Sequence, residues 1–237
     1  MPAYGRTMAT LAMLILLLPT FAHAEEESPA KELETVAKDD FETNSKQWEF
    51  LDSDSWQYTV VNDRGILSQY VRESDYKPPH RSPLHVALLK EHAVSDFELT
   101  VSVRSTVEEY PHRDACLFFG YVDSAHFYYV HLGKLGDPHC NQIFIVNGAD
   151  RKAISVTTTE GTPWDDEWHR VKIVRDVESG KIEIYFDDFK TPAMTAEDTT
   201  FKAGRVGVGS FDDCADWDDF ELRGVPAEVA ESAEAEK

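Results

Sequence analysis

The stretch RDACLFFGYVDSAHFYYVHLGKLGDPHCNQIFIVN, residues 113–147, decides the fold. Two runs rich in aromatic and β-branched residues flank Val122-Asp123-Ser124-Ala125, which has turn composition. A turn there sets Tyr121 against His126. The register then continues as Phe119 with Tyr128, Phe118 with Tyr129, Leu117 with Val130, and Cys116 with His131. Side chains alternate across a strand. One face of the pair is therefore expected to carry Leu117, Phe119, Tyr121, His126, Tyr128, Val130 and Leu132. The other is expected to carry Asp114, Cys116, Phe118, Gly120, Phe127, Tyr129 and His131. The first set is richer in aliphatics and reads as core. A slip of one residue in the turn would exchange the two faces.

The same alternation extends outward. Asp96–Arg104 places Phe97, Leu99, Val101 and Val103 on one side, and Lys181–Phe186 alternates likewise. Trp168–Val174 has strand composition. Gly204-Arg205-Val206-Gly207-Val208-Gly209 alternates glycine with larger residues, as in a strand that another layer approaches closely. Turn signals fall at Asn62–Gly65, Gly136–Pro138, Asn147-Gly148 and Glu178–Gly180. No segment sustains a helical period. The reading is an all-β chain, an antiparallel sandwich.

The ends differ from the middle. Arg6, the apolar run Leu11–Leu18 and the small-x-small triplet Ala22-His23-Ala24 read as a signal peptide over residues 1–24. The apolar run is too short to span a bilayer. Residues 25–37 read as an acidic linker, 38–224 as the domain, and 225–237 as an Ala/Glu tail. A secreted or periplasmic location follows. With 44 acidic against 23 basic residues, the net charge is −21, which argues against nucleic acid or an anionic membrane as partner. Three cysteines are present. Cys116 lies in an apolar run and reads as a buried thiol. Cys140 and Cys214 lie beside loops, where a Cys140–Cys214 disulfide is open in an oxidising compartment.

Three segments carry a family resemblance. DEWHRVKIVRDVESGKIEIYFDD (166–188) resembles the Trp-His-x-Val…Gly-x-Ile-x-Ile-Tyr-x-Asp hairpin of laminin-G-like and concanavalin A-like lectin/glucanase domains. DDFETNSKQWEF (39–50) and GRVGVGSFDDCADWDDFEL (204–222) resemble the first and last strands of that superfamily, and residues 113–147 resemble secreted bacterial members of it. The resemblance implies a two-sheet jelly-roll sandwich with a concave sheet facing a ligand. It is specific for fold and not for activity, since such sandwiches serve as lectins, glycanases and adhesion modules.

On that frame the expected ligand is a glycan or oligosaccharide. Phe118 and Tyr129 would stack on a sugar ring beside Gly120, with Asp114 and His131 bonding its hydroxyls. His112, Arg113, His139, Asn141, Asn147, Arg151, Asp212 and Asp213 lie in flanking loops and would line the rim. A transition-metal site at His112, His131 and His139 is a lesser expectation. Trp164 is either a stacking platform or a cover over the sandwich end. At the chain ends Asp40, Glu42, Asp218 and Asp219 bring carboxylates together, and a structural Ca2+ would relieve their repulsion. The Glu-x-Asp-x-x-Glu run of the superfamily's glucanases is absent. Binding of carbohydrate is the leading expectation, followed by a glycan-degrading hydrolase on the same face and by an adhesion module for a protein partner.

Overall fold

The computed structural model describes residues 1–2, 33–43 and 46–229. The signal peptide, most of the linker and the end of the tail lie outside the described residues. Fifteen strands are described: β1 (Glu34–Asp39), β2 (Trp48–Phe50), β3 (Trp56–Val61), β4 (Arg64–Gln69), β5 (His85–Ser105), β6 (Asp114–Asp123), β7 (His126–Gly133), β8 (Gln142–Asn147), β9 (Lys152–Ala153), β10 (Ser155–Thr158), β11 (His169–Arg175), β12 (Lys181–Phe186), β13 (Met194–Glu197), β14 (Gly204–Ser210) and β15 (Ala215–Ala227). All pairings are antiparallel. No helix among the described residues is long and apolar enough to cross a membrane.

The 21-residue strand β5 organises the sandwich. Its first half, from His85 to Val94, lies between β2 and β14, and that layer continues through β6, β7, β8 and β9. Its second half, from Phe97 to Ser105, lies between β11 and β15, and that layer continues through β12, β13 and β10 on one side. One strand thus serves both layers of an antiparallel jelly-roll sandwich. Phe97, Leu99, Val101 and Val103 of β5 all turn into the interior, as their spacing predicts. They meet Leu117, Phe119, Tyr128 and Val130 from the opposite layer, together with Val171, Ile173, Ile182 and Ile184.

The β6–β7 register agrees with the sequence reading from Cys116–His131 to Phe119–Tyr128. At the tip it departs. Asp123 pairs with His126, and the extra residues form a bulge centred on Gly120, whose φ is +55°. Glycine reaches this left-handed region without strain. The bulge turns Tyr121 away from the core and onto the opposite face, beside Phe127.

The domain is longer than the composition shift suggests. β1 starts at Glu34, inside the expected linker, and pairs with β15 from Glu34–Gly224 to Asp39–Phe220. β15 extends to Ala227. Backbone hydrogen bonding depends little on side chains, so an acidic strand at a sheet edge reads as linker. Phe41, Trp48 and Phe220 close the core there, and the Trp48 indole N–H donates to Asp39 Oδ2 at 2.9 Å.

Close approach of the neighbouring strands β5 and β6 in the same layer, and not of a second layer, explains the β14 glycines. A Cβ on Gly209 would lie 1.9 Å from the His85 carbonyl oxygen and 3.1 Å from the Phe118 ring. Gly209→Ala must therefore push β14 off β5, at a cost of about 3 kcal/mol. Urea unfolding will show this as a lower midpoint with an unchanged slope.

Candidate functional site

Alternation along β6, β7 and β8 gives their layer a second apolar face, turned away from the inter-layer core. Cys116, Phe118, Phe127, Tyr129, Phe144 and Val146 share it. Tyr129 stacks on Phe144 with centroids 5.1 Å apart and 16° between planes, and Phe118 lies 6.1 Å from Tyr129. This is the face from which Phe118, Tyr129, Asp114 and His131 were expected to meet ligand. The placement on a common face holds. The openness does not, since the four are 0, 0, 1 and 5 % exposed.

The cover comes from segments without strand structure. Tyr76, in residues 70–84, packs against the cluster with Leu51 and Phe211. The 70–84 segment is rich in proline, which suits a strap that does not join a ladder. It is tied at both ends. Arg72 pairs with Asp213 at 2.8 Å and donates through Nε to the Asp212 carbonyl at 3.2 Å. The Arg81 N–H donates to Asp150 Oδ1 at 2.9 Å, and the Arg81 carbonyl accepts from Arg151 N. The guanidinium of Arg151 lies 4.6 Å from the Phe144 centroid and 4.3 Å from that of Phe211, and Nη1 donates to the Tyr129 hydroxyl at 2.8 Å. So many aromatic rings on one face carry too much apolar area to leave in water, and the chain covers them with its own strap.

Beneath the strap lies a polar knot. His131 Nε2 is 2.8 Å from Asp114 Oδ2, and His131 Nδ1 is 3.0 Å from the His139 carbonyl. Burial alone would lower the imidazole pKa. The adjacent Asp114 charge and hydrogen bond more than reverse this and lift it to about 10. Asp114 Oδ1 accepts from Phe211 N at 3.1 Å, and Asp114 N donates to Asp213 Oδ2 at 3.0 Å. Burial, set against the Tyr110 hydrogen bond, moves Asp213 up to about 6. Every hydrogen-bonding atom of the Asp114–His131 pair is thus engaged internally.

The expected rim residues scatter. His112 is exposed and lies 3.4 Å from Asp137, and the His139 ring is exposed while its carbonyl serves His131. The three histidines therefore do not converge. Arg113 is buried and bonds Ser105 and Asp166. Asn141 is fully buried, bonds Thr159 and Thr162, and takes a φ of 55° at the crossover, which makes it a structural residue. Asn147 and Asp212 are exposed. Cys140 and Cys214 are free and buried, so the expected disulfide is absent. Cys140 lies over Gly133 near His131, whereas Cys214 lies beside Gln69. Trp164 is 1 % exposed and donates to the Leu132 carbonyl at 2.8 Å, so it caps the sandwich end.

At the chain ends, Asp40, Glu42 and Asp219 are exposed and Asp218 is buried. The Arg64 guanidinium contacts both Asp218 and Asp219, reaching Asp219 at 3.1 Å. Repulsion among these carboxylates is thereby partly met by a side chain.

A groove of about 470 Å3 opens where the strap passes the β6–β7 turn. Leu51, Tyr76, Lys77, Pro79, Tyr121 and Asp123 line it. None of these was expected to meet ligand: Tyr121 read as core and Asp123 as a turn residue. Tyr121 reaches the groove only through the Gly120 bulge, and Tyr76 through a strap whose path has no periodic signal.

No protein-family model and no curated protein matches this chain. Solved structures do. The carbohydrate binding module CBM66 from Bacillus subtilis is similar at TM-score 0.53 and 17 % identity, over 76 % of this chain and 98 % of that one. A Bacillus subtilis protein of unknown function with a galectin-like fold gives TM-score 0.57 at 14 % identity, over 82 % and 99 %. Domain 4 of a GH43 extracellular arabinanase from Geobacillus stearothermophilus, solved in complex with arabinotriose, gives 0.52 at 11 %, over 84 % and 96 %. The shared property at these identities is the fold.

Arg151 joins strap, aromatic face and polar knot. Arg151→Ala is expected to cost about 2 kcal/mol in unfolding free energy. Limited proteolysis of the native variant should cut within residues 70–84 faster than in the unaltered protein.

Proposed function

We propose that this chain is an exported carbohydrate-binding domain whose ligand lies in the groove beside the β6–β7 turn. The observation that carries the reading is that groove's lining, where the half-buried Tyr76 stands beside Leu51, Pro79, Lys77 and Asp123, with Tyr121 packed behind on Phe127. A sugar ring offers an apolar face to an aromatic and hydroxyls to polar neighbours. Lys77 and Asp123 are already oriented, Lys77 by the Ser74 carbonyl at 2.8 Å and Asp123 by His126 and Ala125 at 2.8 Å each. The fold shared with a carbohydrate binding module and with an arabinanase domain supports the substrate class. Export is supported by the signal-like N-terminus.

Glycan hydrolysis is the second reading, favoured by the likeness to a domain of a GH43 enzyme. It requires two carboxylates about 5 to 10 Å apart across one substrate. Asp123 is the carboxylate in the groove's lining, while Asp114 is held under the strap. For a protein partner, the exposed apolar residues Val60, Tyr70, Leu135, Val156, Val225 and Val229 lie on separate segments of the chain.

Purified domain is expected to bind one glycan class on an array drawn from plant, algal and bacterial polysaccharides. Tyr76→Ala should weaken that binding about tenfold, in keeping with the loss of one stacking contact. An array without saturable binding removes the reading. Release of reducing ends that is lost in Asp123→Asn would instead establish the hydrolase.

Calcium remains a proposal for Asp40, Glu42, Asp218 and Asp219, where the ion would compete with Arg64. In that case millimolar Ca2+ raises the melting temperature and a chelator lowers it. Identical melts under both conditions assign the cluster to Arg64 alone.

A further inference from the structure

Two of the three cysteines lie around the His131–Asp114 pair. Among the described residues, Asp114, Cys116 and His131 form a group whose ligand atoms all fall within 4.8 Å of one another. Cys140 Sγ lies 3.8 Å from His131 Nε2. The four residues come from β6, from β7 and from the crossover before β8, and each is at most 5 % exposed. Nothing in the carbohydrate reading uses them.

The hydrogen bonds around this group fix the orientation of its side chains. The His139 carbonyl lies 3.0 Å from His131 Nδ1, whereas the Arg151 nitrogen, which serves the Tyr129 hydroxyl, is 3.4 Å away. Nδ1 therefore carries a proton and donates it to the carbonyl. Nε2 then faces Asp114 Oδ2 at 2.8 Å and the Cys140 sulfur, so a cation must lie between them: a proton or a metal ion. Asp114 Oδ1 is likewise fixed, by Phe211 N. A histidine held through its far nitrogen by a backbone carbonyl, beside a carboxylate that is itself hydrogen-bonded, is the arrangement that orients metal ligands.

We propose that Asp114, Cys116, His131 and Cys140 bind one divalent transition-metal ion of the zinc class. Two thiolates, an imidazole and a carboxylate suit Zn2+ in tetrahedral coordination and do not suit calcium, which takes oxygen ligands. Ligand bonds of about 2.0 to 2.3 Å would open the 2.8 Å Nε2–Oδ2 contact to about 3.3 Å. On binding, each thiol releases its proton and the imidazolium releases the one directed at Asp114. The resulting centre carries one surplus negative charge, which the nearby Arg151 guanidinium offsets. With four protein ligands the centre is closed to substrate and is structural: it pins the 134–141 crossover to β6 and β7 under the strap.

The test uses the full chain prepared with chelator and then titrated with Zn2+ alone or Co2+ alone. One equivalent of zinc by elemental analysis is expected. Cobalt should give the intense visible bands of a tetrahedral site and a thiolate-to-cobalt charge-transfer band. Cys116→Ser should remove much of that band and weaken zinc binding about tenfold or more. Cys214→Ser, outside the centre, should leave both unchanged. Should Cys116→Ser not fold, Cys140→Ser and the protection of native thiols from alkylation by Zn2+ give the same readout. Absence of stoichiometric metal, binding indifferent to both cysteine replacements, or a Cys116–Cys140 disulfide in the purified protein would each overturn the proposal. None of these measurements depends on a glycan, so either reading can fail alone.

Discussion

One strand in two layers is the constraint on which this fold rests. β5 is hydrogen-bonded along both edges of both halves, so neither layer moves without bending the other. Its interior residues set the spacing between layers. Glycines 207 and 209 let β14 lie close, with Cβ positions that would fall 2.3 Å from the Ala87 carbonyl oxygen and 1.9 Å from that of His85. Apolar burial supplies the driving force, but the backbone approach decides which residues are admissible there. The second aromatic face follows from this geometry. Once Leu117 and Phe119 point into the core, Cys116 and Phe118 must point out of it.

The local pattern carried the strands and both faces of the β6–β7 pair. Period-two alternation is a property of neighbours, so Asp96–Arg104 and Lys181–Phe186 could be read directly. Three features could not. The Gly120 bulge depends on a single positive φ and reverses Tyr121 without changing the hydrophobic pattern on either side. The strap over Phe118 and Tyr129 is a long-range event, recorded in no periodicity. Pairing of β1 with β15 involves residues far apart in the chain, and an acidic strand there looked like a linker. Site residues fared accordingly. Asp114, Phe118, Tyr129 and His131 share the face that alternation assigns them, and the strap closes that face to solvent.

Charge is distributed in an orderly way for a chain of net charge −21. Among the described residues seven aspartates are buried, and so are two arginines. Arg113 and Arg175 are 1 and 3 % exposed, and Arg175 donates to the Gly180 and Asp198 carbonyls at 2.6 and 2.8 Å. Planar guanidinium groups can bind several backbone oxygens at once, which lowers the cost of taking the charge out of water. Arg151 does similar work under the strap through two rings and a hydroxyl. These arginines act as internal fasteners between loops.

The antiparallel ladder between β1 and β15 has a mechanical consequence. Glu34 and Gly224 are partners at one extremity of it, and β15 runs on along β5 only to Ala227, so the two strands' outer ends lie at the same end of the ladder. Tension applied between those two ends loads hydrogen bonds successively and not in parallel shear. The edge would peel from the Glu34–Gly224 pair toward Asp39–Phe220, yielding at low force and lengthening the tether, while β5 and the layers it joins stay intact.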